Sequence, residues 1–256
     1  MNLYIFNEIN LATVYGIGTY IRELIAVLKN SDLNVCVVNL NSDKPQIMSE
    51  EIDGVLYLNF PSPIQWSKEL PEHWDLYHHN IVYWLQLHIK DKENLIFHLN
   101  YNQKSELARK LKNVFDCKII LTVHFLDWYF KLLENKTRFK IIMETQQTVL
   151  YDKMELLRES FYMEKDTFQI VDYIISLSNK TKQILQDDYQ INSNKIVKIC
   201  NGLADTTPVS EKSVLRKKYN IPSNVPILLF VGRISNGKGL KYALQSFRFI
   251  LKTHPD

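Results

Sequence analysis

Short runs dominated by isoleucine, valine and leucine recur along the chain, and the segments between them return an apolar residue every three or four positions. This alternation restricts the fold more than any other feature. A strand that reads as a continuous apolar run is buried on both faces, and a helix between two such strands is the crossover of a parallel sheet. Strands are predicted at 3–6 (LYIF), 34–40 (NVCVVNL), 55–59 (VLYLN), 95–99 (LIFHL), 118–123 (KIILTV), 172–177 (DYIISL) and 196–200 (IVKIC). Helices are predicted over 18–29, 102–114 and 179–189, the first with Ile21, Leu24, Ile25 and Leu28 on one face. The fold class that follows is α/β, a doubly wound parallel sheet.

The pattern does not run evenly to the end. Residues 1–202 hold all seven strands, whereas 203–225 carry two prolines, several capping residues and one short helical pattern at 211–219, the composition of a linker. From 226 a fresh apolar run, PILLFVG, is followed by a helical pattern at 238–252 with Leu240, Leu244, Phe247 and Leu251 on one stripe. The expected organisation is therefore a domain over 1–202, a linker over 203–225 and the start of a second, truncated α/β domain over 226–256. A lone strand and helix leave apolar faces without partners, so dimerisation through this tail is an expectation too.

The stretch 125–167 is too long for an ordinary connection and reads as two helices, about 127–135 and 138–165. Two readings stay open: a helical hairpin covering a sheet edge, or a surface for an acceptor or a membrane face, since FLDWYFKLL and TRFKII mix aromatic and basic residues. Net charge is +3, the remainder of 31 basic and 28 acidic side chains, so no chain-wide field argues for nucleic acid. Neither a secretion signal nor an apolar run of membrane-spanning length is evident. Cys36, Cys117 and Cys200 lack C-x-x-C spacing and are expected to be reduced core thiols of a cytoplasmic protein.

Four places carry potential chemistry. Gly16 and Gly18 stand at the start of the first helix, where free backbone amides and the positive end of the helix dipole favour an anion, although a bare turn explains them equally. A dinucleotide fingerprint is not met: Ile21 occupies the third glycine position, and Asn39-Leu40-Asn41 offers no carboxylate for a ribose. His124, after Thr122 and Val123, falls where a strand meets its loop at the carboxyl edge of the sheet. His78 and His79 are adjacent and so point to different sides, while His88 and His98 lie in separate elements, and no metal site is expected. Asn201-Gly202 closes the first domain. In the second, Arg233 and Lys238 bracket a turn freed by Gly232 and by Gly237 or Gly239, so that two cations can face one diphosphate.

Together, the glycine loop before IRELIAVLK, the TVH after the fifth strand, DYIISLSNKTKQIL through KIVKICNG, and LLFVGRISNGKGLKYAL resemble the retaining nucleotide-sugar glycosyltransferases of family 4. The resemblance runs along most of the chain and implies two facing Rossmann-like domains. It implies that Arg233 and Lys238 neutralise the diphosphate leaving group, that His124 contacts the transferred sugar, and that Gly16, Gly18, Gly232 and Asn201 belong to the donor site. A nucleotide sugar is then the donor substrate, with no separate cofactor, and a glycan or lipid-linked molecule the acceptor. The setting is the cytoplasm or its membrane face. Two departures stand out. Tyr15 occupies the first position of the family's usual glycine pair, and the family's two spaced glutamates are not present in the sequence, which implies weak or no activity for these 256 residues alone. A non-catalytic module that keeps the acceptor half is the alternative reading.

Overall fold

The computed structural model describes residues 1–9, 16–63, 71–90, 92–145, 152–204, 210–232, 234 and 238–253. It divides into two compact units, Met1–Leu203 and Ala204–Asp256. In the first, β1 (Asn2–Glu8) and α1 (Ile17–Leu28) are followed by β2 (Asn34–Ser42), β3 (Met48–Ile52), β4 (Val55–Pro61) and α2 (Pro71–His88). Next come β5 (Leu95–Leu99), α3 (Ser105–Val114), β6 (Cys117–Val123), α4 (Asp127–Lys131), α5 (Lys136–Glu144) and α6 (Asp152–Ile170). The unit closes with β7 (Tyr173–Ser176), α7 (Asn179–Asp187) and β8 (Ile196–Lys198).

The strands form one sheet in the order β3-β4-β2-β1-β5-β6-β7-β8. All seven predicted strands are present and pair in parallel. The eighth, β3, is antiparallel to β4. Its sequence, MSEEI, has no apolar alternation, which is why periodicity misses it. Its cause is the two-residue turn Asp53-Gly54, with φ of 52° and 76°. Both central residues in the left-handed region make the tight hairpin turn whose twist matches paired strands, and Asp-Gly is its sequence signal.

One face of β1, β2 and β4 is covered by α1, which sets Ile17, Ile21 and Ile25 against Leu3, Ile5, Val37 and Val55. The opposite face carries the larger core: Phe6, Val38, Phe97, Leu99 and Leu121 lie under Leu85 of α2, Leu111 of α3, Phe168 of α6 and Leu185 of α7. Each such side chain contributes about 1.5–3 kcal/mol by leaving water. Beyond β6 the α1 side is open, and Tyr173 and Val197 there are 46% and 45% exposed. The last strand also stops at Lys198 rather than at 200. The expectation of three core thiols therefore holds for Cys36 alone. Cys117, the first residue of β6, packs half-buried against the larger core, and Cys200 is exposed past the end of β8.

The long connection after β6 breaks into three helices instead of two. Leu133 and Glu134 take positive φ (48° and 67°), which ends the first helical segment. Asn135 then caps α5, its side chain accepting from the Arg138 amide at 2.9 Å. Trp128 of α4 stacks on Phe139 of α5 at 4.1 Å. Arg158 of α6, which is buried, donates to the carbonyls of Ile142 and Thr145 and so satisfies the C-terminal end of α5.

The second unit contains α8 (Lys212–Lys218) and α9 (Leu240–Thr253). The predicted strand at 226–231 does not form, and Leu228, Leu229 and Val231 are 72%, 80% and 84% exposed. A strand's amides and carbonyls need a neighbouring strand, and the described residues of this unit supply none. The predicted helix does form, since its hydrogen bonds are internal, but it buries no residue. Among the described residues, no helix is long and apolar enough to cross a membrane.

Candidate functional site

Because β1, β5, β6 and β7 run parallel, their carboxyl ends converge on one edge, and the loops there hold the candidate groups. Thr122, near the end of β6, is fully buried. Its hydroxyl lies 2.7 Å from Nε2 of His98 on β5 and 3.2 Å from the hydroxyl of Tyr20 on α1. One residue past β6, the Nε2 of His124 lies 3.1 Å from Oδ1 of Asn100. The Tyr20 ring meets the His124 ring edge-on at 4.7 Å. Burial pushes both imidazoles down to about 4, with His124 adding to the effect on His98. With His98 and Thr122 buried against each other, the edge presents the half-buried Tyr20 and His124, two groups suited to hydrogen-bonding an uncharged polar ligand.

A second layer fixes the loops behind. Glu164 of α6, only 1% exposed, accepts from Asn102 and from the Asp127 amide, each at 3.1 Å, and from the Tyr189 hydroxyl. Asn102 also donates to the carbonyl of Phe125 at 2.5 Å, the residue next to His124. Burial pushes the Glu164 carboxyl up to about 7, against the pull of those three donors. Glu8, at the end of β1, is buried and paired with Lys104, and its carbonyl accepts from the Tyr101 hydroxyl at 3.3 Å. On the α1 side the strand ends are tied laterally, Asn7 donating to Asn39, Asn39 to Asn59 and Asn59 to Glu50, each at 2.9 Å. Asn39 is thus occupied by its neighbours on the sheet.

His124 therefore stands at the carboxyl edge, where the sequence places it. Gly16 is one turn from Tyr20, whose amide donates to the Gly16 carbonyl at 3.0 Å, and Gly18 is in the first turn of α1. Gly16 has an ordinary φ of −62°, and a Cβ built on it would meet nothing within 4 Å. Among the described residues, packing does not demand glycine there. Asn201 is exposed beyond β8, and Gly202 has no positive φ, so the backbone there does not require glycine. In the second unit Gly232 and Lys238 are exposed, and Arg233 and Gly237 lie outside the described residues. Gly239, with φ of 71°, is the glycine that its turn requires. Sequence reasoning missed Tyr20, His98, Asn100 and Glu164. Tyr20 and Asn100 carried a signal, being one helical turn after Gly16 and one residue past a predicted strand.

No group of three or more His, Cys, Asp or Glu that could hold a metal ion occurs among the described residues. The family model of Glycosyltransferase Family 4 matches residues 14–206, and the chain belongs to that family. No curated protein matches it in sequence. Among solved structures, it is similar to sucrose-phosphate synthase from Thermosynechococcus elongatus, with 17% identity and a TM-score of 0.71 over 98% of this chain and 60% of that one. The catalytic domain of starch synthase IV from Arabidopsis thaliana, bound to ADP and acarbose, shares 13% identity with a TM-score of 0.59 over 98% of this chain and 66% of that one. A trehalose-6-phosphate structure from E. coli bound with UDP-2-fluoro glucose shares 10% with a TM-score of 0.58, over 100% and 62%. The chain thus spans 60–66% of the length of these three.

Proposed function

We propose that the protein transfers a sugar from a nucleotide-sugar donor to a hydroxyl-bearing acceptor, a glycan or a lipid-linked molecule, with retention of anomeric configuration. The observation that carries this reading is the family match over the first unit, coinciding with a carboxyl edge of neutral imidazoles and hydroxyls around His124. In this reading the first unit holds the acceptor and touches the transferred sugar. The donor phosphate approaches the start of α1 at Gly16, which carries no side chain to block it. Departure of the nucleoside diphosphate develops negative charge, and Arg233 and Lys238 stabilise it, so no step calls for an enzyme-bound metal. The reaction belongs in the cytoplasm.

A membrane-facing acceptor is a narrower form of this proposal. Phe130, Leu133 and Ile141 on α4–α5 are 53%, 73% and 58% exposed. Lys131 and Lys136 are paired with Asp127 and Asp188, so Arg138 and Lys140 are the α5 cations without an ion pair among the described residues. Attraction to an anionic surface is then weak, about 1 kcal/mol for each such cation.

The test is product analysis on the protein expressed from its complete coding sequence, incubated with UDP-, GDP-, ADP- and dTDP-sugars and candidate acceptors. Release of nucleoside diphosphate with a product of the donor's anomeric configuration supports the proposal. An inverted product would end the retaining reading, and binding of acceptor without turnover of any donor would favour the non-catalytic module.

A further inference from the structure

We propose that Asn100 is a positioning residue that holds His124 as its Nε2–H tautomer, leaving Nδ1 as a lone-pair acceptor for a ligand hydroxyl at the carboxyl edge. The argument begins at the backbone of β1. One terminal atom of the Asn100 amide lies 3.2 Å from the carbonyl oxygen of Phe6. A carbonyl oxygen only accepts, so that atom must be the amide nitrogen. The other terminal atom is then the amide oxygen, and it faces Nε2 of His124 at 3.1 Å. An amide oxygen only accepts as well, so Nε2 must carry the hydrogen. A neutral imidazole has one N–H, and Nδ1 keeps its lone pair.

The surroundings keep the ring neutral. Asn100 is 1% exposed, and its carboxamide offers a dipole in place of a charge. Among the described residues, the titratable groups that face the ring are His98 on β5 and Tyr20 on α1, and burial depresses His98 as it does His124 itself. At neutral pH His124 thus donates through Nε2 to Asn100 and offers Nδ1 as an acceptor. That the incoming hydroxyl belongs to a sugar rests on the proposed function, whereas the tautomer rests on Asn100 and Phe6.

Long-range proton–nitrogen correlation spectra of the histidine-labelled 256-residue chain test this without an activity assay. The expected result is a His124 signal with Nε2 protonated and Nδ1 bare at pH 7, unchanged on acidification until the midpoint of about 4 is approached. In Asn100→Asp a carboxylate faces Nε2 and stabilises the imidazolium, so the midpoint should rise by about 1–3 pH units. A wild-type ring protonated at Nδ1 would overturn the proposal, as would an Asn100→Asp chain with native amide spectra and an unmoved midpoint. Should the variant fail to fold, the wild-type tautomer alone decides. A correct tautomer in a protein that turns over no nucleotide sugar would leave this inference standing and remove the proposed function.

Discussion

Residues 3–6 and 226–231 carry the same message in sequence, an apolar run followed by a glycine-bearing turn and an amphipathic helix, yet they end in different states. The first run is the centre of a sheet: β1 pairs with β2 on one side and β5 on the other, and Ile5 is fully buried. The second lies exposed with no strand pairing, although the helix after it forms. A helix closes its hydrogen bonds within one segment, while a strand borrows them from its neighbours. An apolar run therefore specifies a strand only where the rest of a sheet exists to receive it.

The sharpest way to break this contrast is paired truncation. Phe97→Ala removes a fully buried ring from the larger core and is expected to cost about 3–5 kcal/mol. Leu229→Ala, in the exposed run, should stay within about 0.5 kcal/mol. Urea denaturation reads both, and comparable losses would mean that 226–231 is packed in solution.

A smaller effect concerns buried charge in the first unit. Burial raises Glu164 from 4.5 in the unfolded chain to about 7. A raised carboxyl favours the fold fully below its unfolded value and loses that contribution as pH rises through the folded one. At about 1.4 kcal/mol per pH unit, the loss is on the order of 3 kcal/mol between pH 4.5 and 7. Glu164→Gln should abolish this slope, so the stability difference between wild type and variant must change across that window. His98 and His124 act in the opposite direction, their depressed values of about 4 removing stability as pH falls from 6.5. A difference that stays flat from pH 4.5 to 7 would show that Glu164 is ionised throughout.

The smallest expected effect compares two glycines. Gly16→Ala, at an ordinary φ and in open space, should stabilise the chain by about 0.4–1 kcal/mol by narrowing the unfolded ensemble. Gly239→Ala, at φ 71°, should destabilise α9. Thermal melts measure both. If Gly16→Ala raises stability and weakens nucleotide-sugar binding, the glycine serves a ligand and not the fold.

Much of the first unit was legible because a buried parallel sheet writes itself as β-branched runs. The Met48–Ile52 strand was not, since it is polar and at the edge, and its only mark is the Asp53-Gly54 turn. His124 was legible from its place at a strand end. Asn100 and Tyr20 were marked only by position, just past a strand and one turn after Gly16, and Glu164 not at all, because their roles depend on partners 24, 102 and 25 or more residues away in sequence. Such pairings arise from topology and leave no local pattern. Arg233 and Lys238 were read from two cations bracketing a glycine-rich turn and from the family's motif, and Arg233 lies outside the described residues.

The most direct test of the central claim, that the carboxyl edge around His124 receives a sugar, is a titration followed by amide spectra. UDP-glucose, ADP-glucose and GDP-mannose are added in turn to the labelled chain. The account predicts that at least one shifts Gly18, Tyr20, Asn100 and His124 while Asn2, Asn34 and Asn94, at the opposite ends of the strands, stay fixed. Shifts confined to that opposite edge, or none from any of the three at millimolar concentration, would contradict it.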